Sequence, residues 1–244
     1  SYDNDILIVQ SVWNIWTNII KWFLQDGEEY PEFLHSNIKC RVANPGQSLQ
    51  SITVGSLCID DFNDGTLWSV WDKDHISPFS RVWLGIWDST KPDLVEYGWG
   101  YLTDSTWNIT QKDELCPELI RKSPWPLYSK DSYWTSYSTP KVTNIIWSIQ
   151  NSFPENSCLL YRALITNSAT WPEWANQLVN SDRTKAATVL SRIWYWLPDS
   201  EKSIYSSDYR TTFFTNSDVS IGPWVAHFYK IDVPDILLES PYDI

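Results

Sequence analysis

Apolar positions recur along this chain with two different periods, and the places where the period changes mark the expected elements. Between Asp5 and Gln25, the residues Val9, Val12, Trp13, Trp16, Ile19, Ile20 and Phe23 follow one another at mostly helical spacings, with Gln10, Asn14, Thr17, Asn18, Lys21 and Gln25 opposite them. That spacing predicts an amphipathic helix. Asp3 and Asp5 stand at its positive end and Gly27 ends it. Polar residues return at every turn, so the segment is too polar to span a membrane. Its Trp13, Trp16, Ile20 and Phe23 stripe is expected inside the fold.

The middle of the chain switches to a strand-like pattern. Leu67–Trp71, Val82–Trp87 and Glu96–Leu102 are short runs of aromatic and branched residues bounded by Asp, Ser, Pro and Lys. They predict strands apolar on both faces, as in the middle of a covered sheet. Ile38–Val42 and Ser51–Cys58 read as strands around the turn Asn44-Pro45-Gly46, and Lys112–Lys122 as a short helix. Helical spacing returns in Lys141–Ser152, where Val142, Ile145, Ile146 and Ile149 share a stripe. Ser157–Ile165 reads as an apolar strand. Thr170-Trp171-Pro172-Glu173 is a capping box opening a helix to Asn180, a further helix covers Thr184–Leu197, and Tyr209–Phe214 and Trp224–Ile231 return to strand. The pattern predicts one compact α+β domain over residues 1–244, with a central, largely antiparallel, Trp-rich sheet. The N-terminal amphipathic helix and helices of the C-terminal half cover it.

Composition changes this picture in two respects. Seventeen Trp and no Met make the aromatic residues the main core filler, with some left over for a recognition surface. A net charge of −12 repels phosphate backbones, which argues against general nucleic-acid binding. Cys40, Cys58, Cys116 and Cys158 form no CxxC pair; if disulfides exist, Cys40 with Cys58 is the first pair to expect, and buried free thiols are an equal alternative. Ser1 is not followed by a basic and apolar leader, and Asn108-Ile109-Thr110 is a glycosylation sequon, so the compartment leans slightly to the outside of the cell.

Motifs for chemistry are sparse. His35, His75 and His227 are far apart and form no HExxH, no Ser-centred elbow and no metal spacing, and neither a metal nor a cofactor is expected. Asp60, Asp61 and Asp64 lie in a Gly-containing turn whose order departs from a calcium loop. The stretch Asp60-Asp61-Phe62-Asn63-Asp64-Gly65 resembles a turn near the start of some jelly-roll carbohydrate-binding and glycanase domains.

The function expected on these grounds is that of a non-enzymatic acidic binding or inhibitory protein, with a protein or glycan as partner. The aromatic-rich Ser123–Tyr137 segment, read as a loop, supplies the candidate surface: Trp125, Tyr128, Tyr133, Trp134 and Tyr137. The alternative is a carbohydrate-active hydrolase whose acid/base pair comes from Asp72, Asp88, Glu96 and Glu173, each close to a Trp or Tyr. A coat, assembly or toxin component is a further alternative.

Overall fold

The computed structural model describes residues 5–28, 33–34, 37–82, 85–112, 118–122, 127–131, 134–181, 195–207, 210–214 and 222–226. Contacts divide the chain into two units, Ser1–Thr211 and Thr212–Ile244. Helices and strands mix throughout the first unit, in agreement with the α+β class.

Three parallel strands form the sheet that the helices cover. β1 (Val9–Ser11) and β4 (Leu94–Tyr97) flank β2 (Ile52–Leu57), with Val9 opposite Ile52 and Val54 opposite Leu94. β2 is buried at every position, because its two faces serve two cores. On one side Ile52, Val54 and Leu94 meet Val142, Ile146 and Ile149 of α2 (Thr135–Ser152) and Tyr161, Leu164 and Ile165 of α3 (Cys158–Ser168). On the other, Leu57 and Val95 join Ile20 and Phe23 of α1 (Thr17–Gln25) with Phe79, Trp99, Tyr101 and Trp196. Antiparallel pairing occurs in β3 (Trp68–Ser69), β5 (Leu102–Thr103) and β6 (Ile109–Thr110), and in the hairpin of β7 (Glu118–Lys122) and β8 (Leu127–Asp131). α4 (Glu173–Ser181) and α5 (Ser200–Ile204) complete the described elements.

Several local expectations are corrected. The expected Asp5–Gln25 helix is a strand followed by a helix. The β-branched run around Val9 pairs with β2, and the chain turns at Trp13 (φ 71) before α1 begins. Ile20 and Phe23 are buried as expected, but Trp13 and Trp16 are 52% and 66% exposed. Ser157–Ile165 is largely helix α3, since the Ser157 side chain accepts from the Leu160 N–H and caps it. Glu118–Lys122 is strand where a helix was expected, Ile38–Cys40 is a 3₁₀ turn, and Val82–Trp87 contributes a bridge at Val82 and part of a 3₁₀ turn over Ile86–Asp88. The expected Thr184–Leu197 helix lies almost wholly outside the described residues; its last residues, Trp196 and Leu197, bridge to Leu94 and Thr170. Cys40 and Cys58 are buried free thiols, and burial pushes Cys40 up to about 12 and Cys58 higher still. Asp64 accepts from the Thr66 hydroxyl and from the N–H groups of Thr66 and Leu67, which hold its carboxyl down at about 2 and close the turn. Among the described residues, no helix is long and apolar enough to cross a membrane.

Six tryptophans, Trp13, Trp87, Trp107, Trp134, Trp196 and Trp224, have φ between 55° and 108°. This left-handed region favours glycine, and a bulky side chain there costs about 1–2 kcal/mol. Trp87 is 87% exposed, so its ring recovers little through burial. Trp87→Gly is therefore expected to leave stability unchanged or raise it by up to about 1 kcal/mol, the strain relief exceeding the 0.5–1 kcal/mol of added chain entropy. Chemical denaturation checks this; a loss above about 1 kcal/mol means that the ring has a contact that matters.

Candidate functional site

In a parallel sheet covered by helices, ligands gather where the strands end at their carboxyl side. At that end of β1, the chain passes through Val12 and Trp13 to Asn14. The Asn14 backbone is held by a bridge to Ser80 and by Arg81, whose Nε donates to the Asn14 carbonyl at 3.1 Å. Its side chain crosses to the start of α2: Asn14 Oδ1 accepts from the Thr135 N–H and from the Thr135 hydroxyl, each at 3.0 Å. Because a backbone N–H is an obligatory donor, these bonds identify the oxygen of the amide and direct its NH₂ elsewhere.

Ser136 follows Thr135 in the first turn of α2 and is exposed. Four features make this turn a place for negative charge. First-turn N–H groups have no partner within the helix and sit at the positive end of its dipole. Trp134, at the cap position with φ 108, has no side-chain acceptor to offer them. No acidic residue stands in the first turn. The Ser136 N–H and hydroxyl make no hydrogen bond to a described residue, whereas the neighbouring Thr135 and Tyr137 N–H groups are taken by Asn14 and by the Trp134 carbonyl. One turn further on, Pro140 has no N–H to give the Ser136 carbonyl, which loosens the ladder at this point. The result is an exposed serine beside an oriented asparagine amide, with a strained tryptophan before each of the two segments. Backbone strain of this kind concentrates at functional sites.

This site was only partly foreshadowed. Of the five candidate aromatics, Trp134 and Tyr137 flank Thr135 and Ser136, with the Trp134 ring edge-on to Phe79 at 5.8 Å. The backbone of Tyr128 lies in β8, and Trp125 and Tyr133 lie outside the described residues. The Ser123–Tyr137 segment is not a continuous loop, since it contains β8 and the start of α2. Asn14, Thr135 and Ser136 were missed: reading Asp5–Gln25 as one helix sets Asn14 on its polar face, and starting α2 at Thr139-Pro140 leaves Ser136 outside it. A uncapped helix start that places a serine one turn before a proline is the signal that was available.

The four carboxylates of the hydrolase alternative do not form a pair. Glu96 is bound to the Tyr97 N–H at 2.7 Å and lies 3.7 Å from Lys141, while burial raises its pKa against both. Glu173 accepts from Gln177 on α4, the Asp72 carbonyl accepts from the His75 N–H, and the Asp88 side chain lies outside what is described. His75 stacks on Trp174 at 4.6 Å and contacts the Lys73 carbonyl at 3.1 Å.

Comparison with known proteins bears directly on this arrangement. Residues 2–194 match the Subtilase family of peptidases. The chain is also similar to an uncharacterized protein, y4bN, of Sinorhizobium fredii, with 30% identity over 223 residues, covering 87% of this chain and 50% of that protein. The chain thus spans about half the length of that relative. The match overturns the expectation of a non-enzymatic binding or inhibitory protein, and with it the glycan-directed hydrolase and the jelly-roll resemblance. Trp99 and Trp196 are among the largest fully buried side chains, the core-filling part expected of the aromatic residues.

Proposed function

The chain belongs to the Subtilase family, and on that premise we propose that it carries the serine and the oxyanion-binding groups of a serine peptidase. The observation that carries this reading is the pair of 3.0 Å hydrogen bonds from Thr135 to Asn14 Oδ1, which fixes an asparagine amide beside Ser136 at the start of a helix. Ser136 Oγ is the nucleophile. Its attack on a peptide carbonyl moves negative charge onto the carbonyl oxygen, and two donors face that charge: the Asn14 NH₂ and the Ser136 N–H. A side-chain asparagine and backbone N–H groups are the donors used for this purpose in serine peptidases, including subtilisin. The positive end of α2 adds to them, undiminished by any first-turn carboxylate. When the tetrahedral intermediate collapses, the amine leaves with a proton and the acyl group stays on Ser136 until water releases it.

The proton of Ser136 requires a base. In subtilisin the aspartate and histidine precede the serine in the chain. Among the described residues, His75 has its contacts with the Lys73 carbonyl and the Trp174 ring. The test is peptide hydrolysis by the protein that carries this chain, with and without Ser136→Ala. Loss of at least about 10³-fold in kcat/KM is expected, at unchanged melting temperature because the hydroxyl has no described partner. Activity that survives the substitution removes Ser136 from the role of nucleophile.

A further inference from the structure

The side chains of the Ser136 site depend on the backbone that carries them, and at one point that backbone has a conformation its residue resists. Trp134, which precedes Thr135 and caps α2, has φ 108 and ψ 152. This is not the left-handed helical region that Trp87 enters with φ 55 and ψ 40. It is a region populated almost only by glycine, because a Cβ there meets the flanking peptide groups. Tryptophan dominates such positions in this chain. Of the seven residues other than glycine with positive φ among the described residues, six are Trp and the seventh is Asp74.

Trp13 and Trp134 precede the two halves of the site, and they differ in how firmly the strain is held. Around Trp13, the Val12 N–H donates to the Val54 carbonyl at 3.0 Å, the Arg81 N–H to the Trp13 carbonyl at 3.2 Å and the Ile15 N–H to the Phe79 carbonyl at 2.6 Å. That turn is clamped on both sides. Trp134 instead stands at the start of a helix, where its side chain makes no cap hydrogen bond and Pro140 has no N–H to close the turn on Ser136. The two 3.0 Å bonds from Thr135 to Asn14 are the tie this strain works against. Rotation of Trp134 to negative φ swings the peptide that carries the Thr135 N–H, breaks the tie and takes Ser136 away from the Asn14 amide.

We propose that Trp134 is a positioning residue that acts against its own site: its backbone strain keeps a share of the molecules in a relaxed arrangement with Asn14 and Ser136 out of register, and glycine at this position closes the site. Strain of this kind shifts a two-state balance by about 5- to 100-fold. The Trp134 ring is half-buried, edge-on to Phe79 at 5.8 Å, so shortening the side chain also loses packing. Alanine and glycine lose the same ring, and their comparison therefore reads the backbone alone. At ordinary φ alanine is the better of the two, because glycine leaves the unfolded chain freer; at φ 108 the order reverses.

The test compares Trp134→Gly, Trp134→Ala and the unaltered protein by hydrogen exchange of the Thr135 amide and by peptide hydrolysis, both well below the unfolding temperature. Exchange at Thr135 is expected to be at least about fivefold slower in Trp134→Gly than in Trp134→Ala, because the amide stays bonded to Asn14. The same substitution raises kcat/KM by a similar factor over Trp134→Ala and over the unaltered protein. The kinetic half rests on Ser136 as nucleophile, and the exchange half does not. Slower exchange with no hydrolysis by any of the three proteins supports the strained hinge and overturns the peptidase reading. Equal exchange and equal kcat/KM in the glycine and alanine variants overturn the proposal. A higher melting temperature with glycine as the sole difference overturns it as well, since the strain is then structural and does not reach the site.

Discussion

Asn14→Asp is expected to lower kcat for peptide hydrolysis by about 10²–10³ or more while moving the melting temperature by less than about 3 °C. The substitution separates two jobs of one side chain. A carboxylate still accepts from the Thr135 N–H and hydroxyl, the two 3.0 Å bonds that tie the end of β1 to the start of α2. What it loses is the NH₂ donor, and in its place stands a negative charge next to the developing oxyanion. The range is the one measured when subtilisin loses its oxyanion-hole asparagine, about 2.7–4 kcal/mol, and repulsion can only add to it. Asn14→Ala makes the contrast, because it removes donor and acceptor together and should lower both rate and stability. An Asn14→Asp protein with undiminished kcat leaves Asn14 with a structural role alone.

The second large effect concerns stability. Asp93→Ala is expected to cost about 3–5 kcal/mol, the usual cost of stranding a buried charge. Asp93 Oδ2 accepts from Lys91 at 2.5 Å and from the Thr53 N–H at 2.7 Å, with Arg162 nearby at 3.7 Å. The side chains of Lys91 and Asp93 are only 2% and 9% exposed, so water replaces little of what is lost. Removing both charges is a different matter: the double variant Lys91→Met, Asp93→Leu should recover much of the loss, because desolvation of both ions offsets most of their attraction. Denaturant midpoints of the three proteins decide it. A double variant less stable than Asp93→Ala would show that the pair's hydrogen bonds to Ser51 and Thr53 outweigh the charge term.

Local patterns recovered a good part of the fold. Ile52–Leu57 is a strand because a buried run of branched residues has no better use, and Lys141–Ser152 is helix because Val142, Ile146 and Ile149 repeat at helical spacing. Gly27 ends α1 with φ +72, as a glycine after a helix should. Patterns failed where two periods fit the same residues. Val9 to Phe23 satisfies a helical stripe, yet its first part pairs with β2, and only the presence of Ile52 across the sheet reveals this. Leu159 to Ile165 is apolar enough for a strand, yet a serine cap made it helix.

What the sequence by itself determined are properties set within a few residues of each position: the caps, the apolar faces, the acidic balance and the scarcity of metal-type motifs. Only the tertiary structure decided that β1, β2 and β4 run parallel and that Asn14 meets Thr135, 121 positions away. The reason is physical. Period and propensity act along the chain, so they leave strand direction undetermined. Hydrogen bonds across the sheet and from β1 to α2 exist only after both segments have been packed on a common core. Asn14 and Ser136 are unremarkable polar residues in their own neighbourhoods, and make up the proposed site only because the end of a strand and the beginning of a helix are held at hydrogen-bond distance through Thr135.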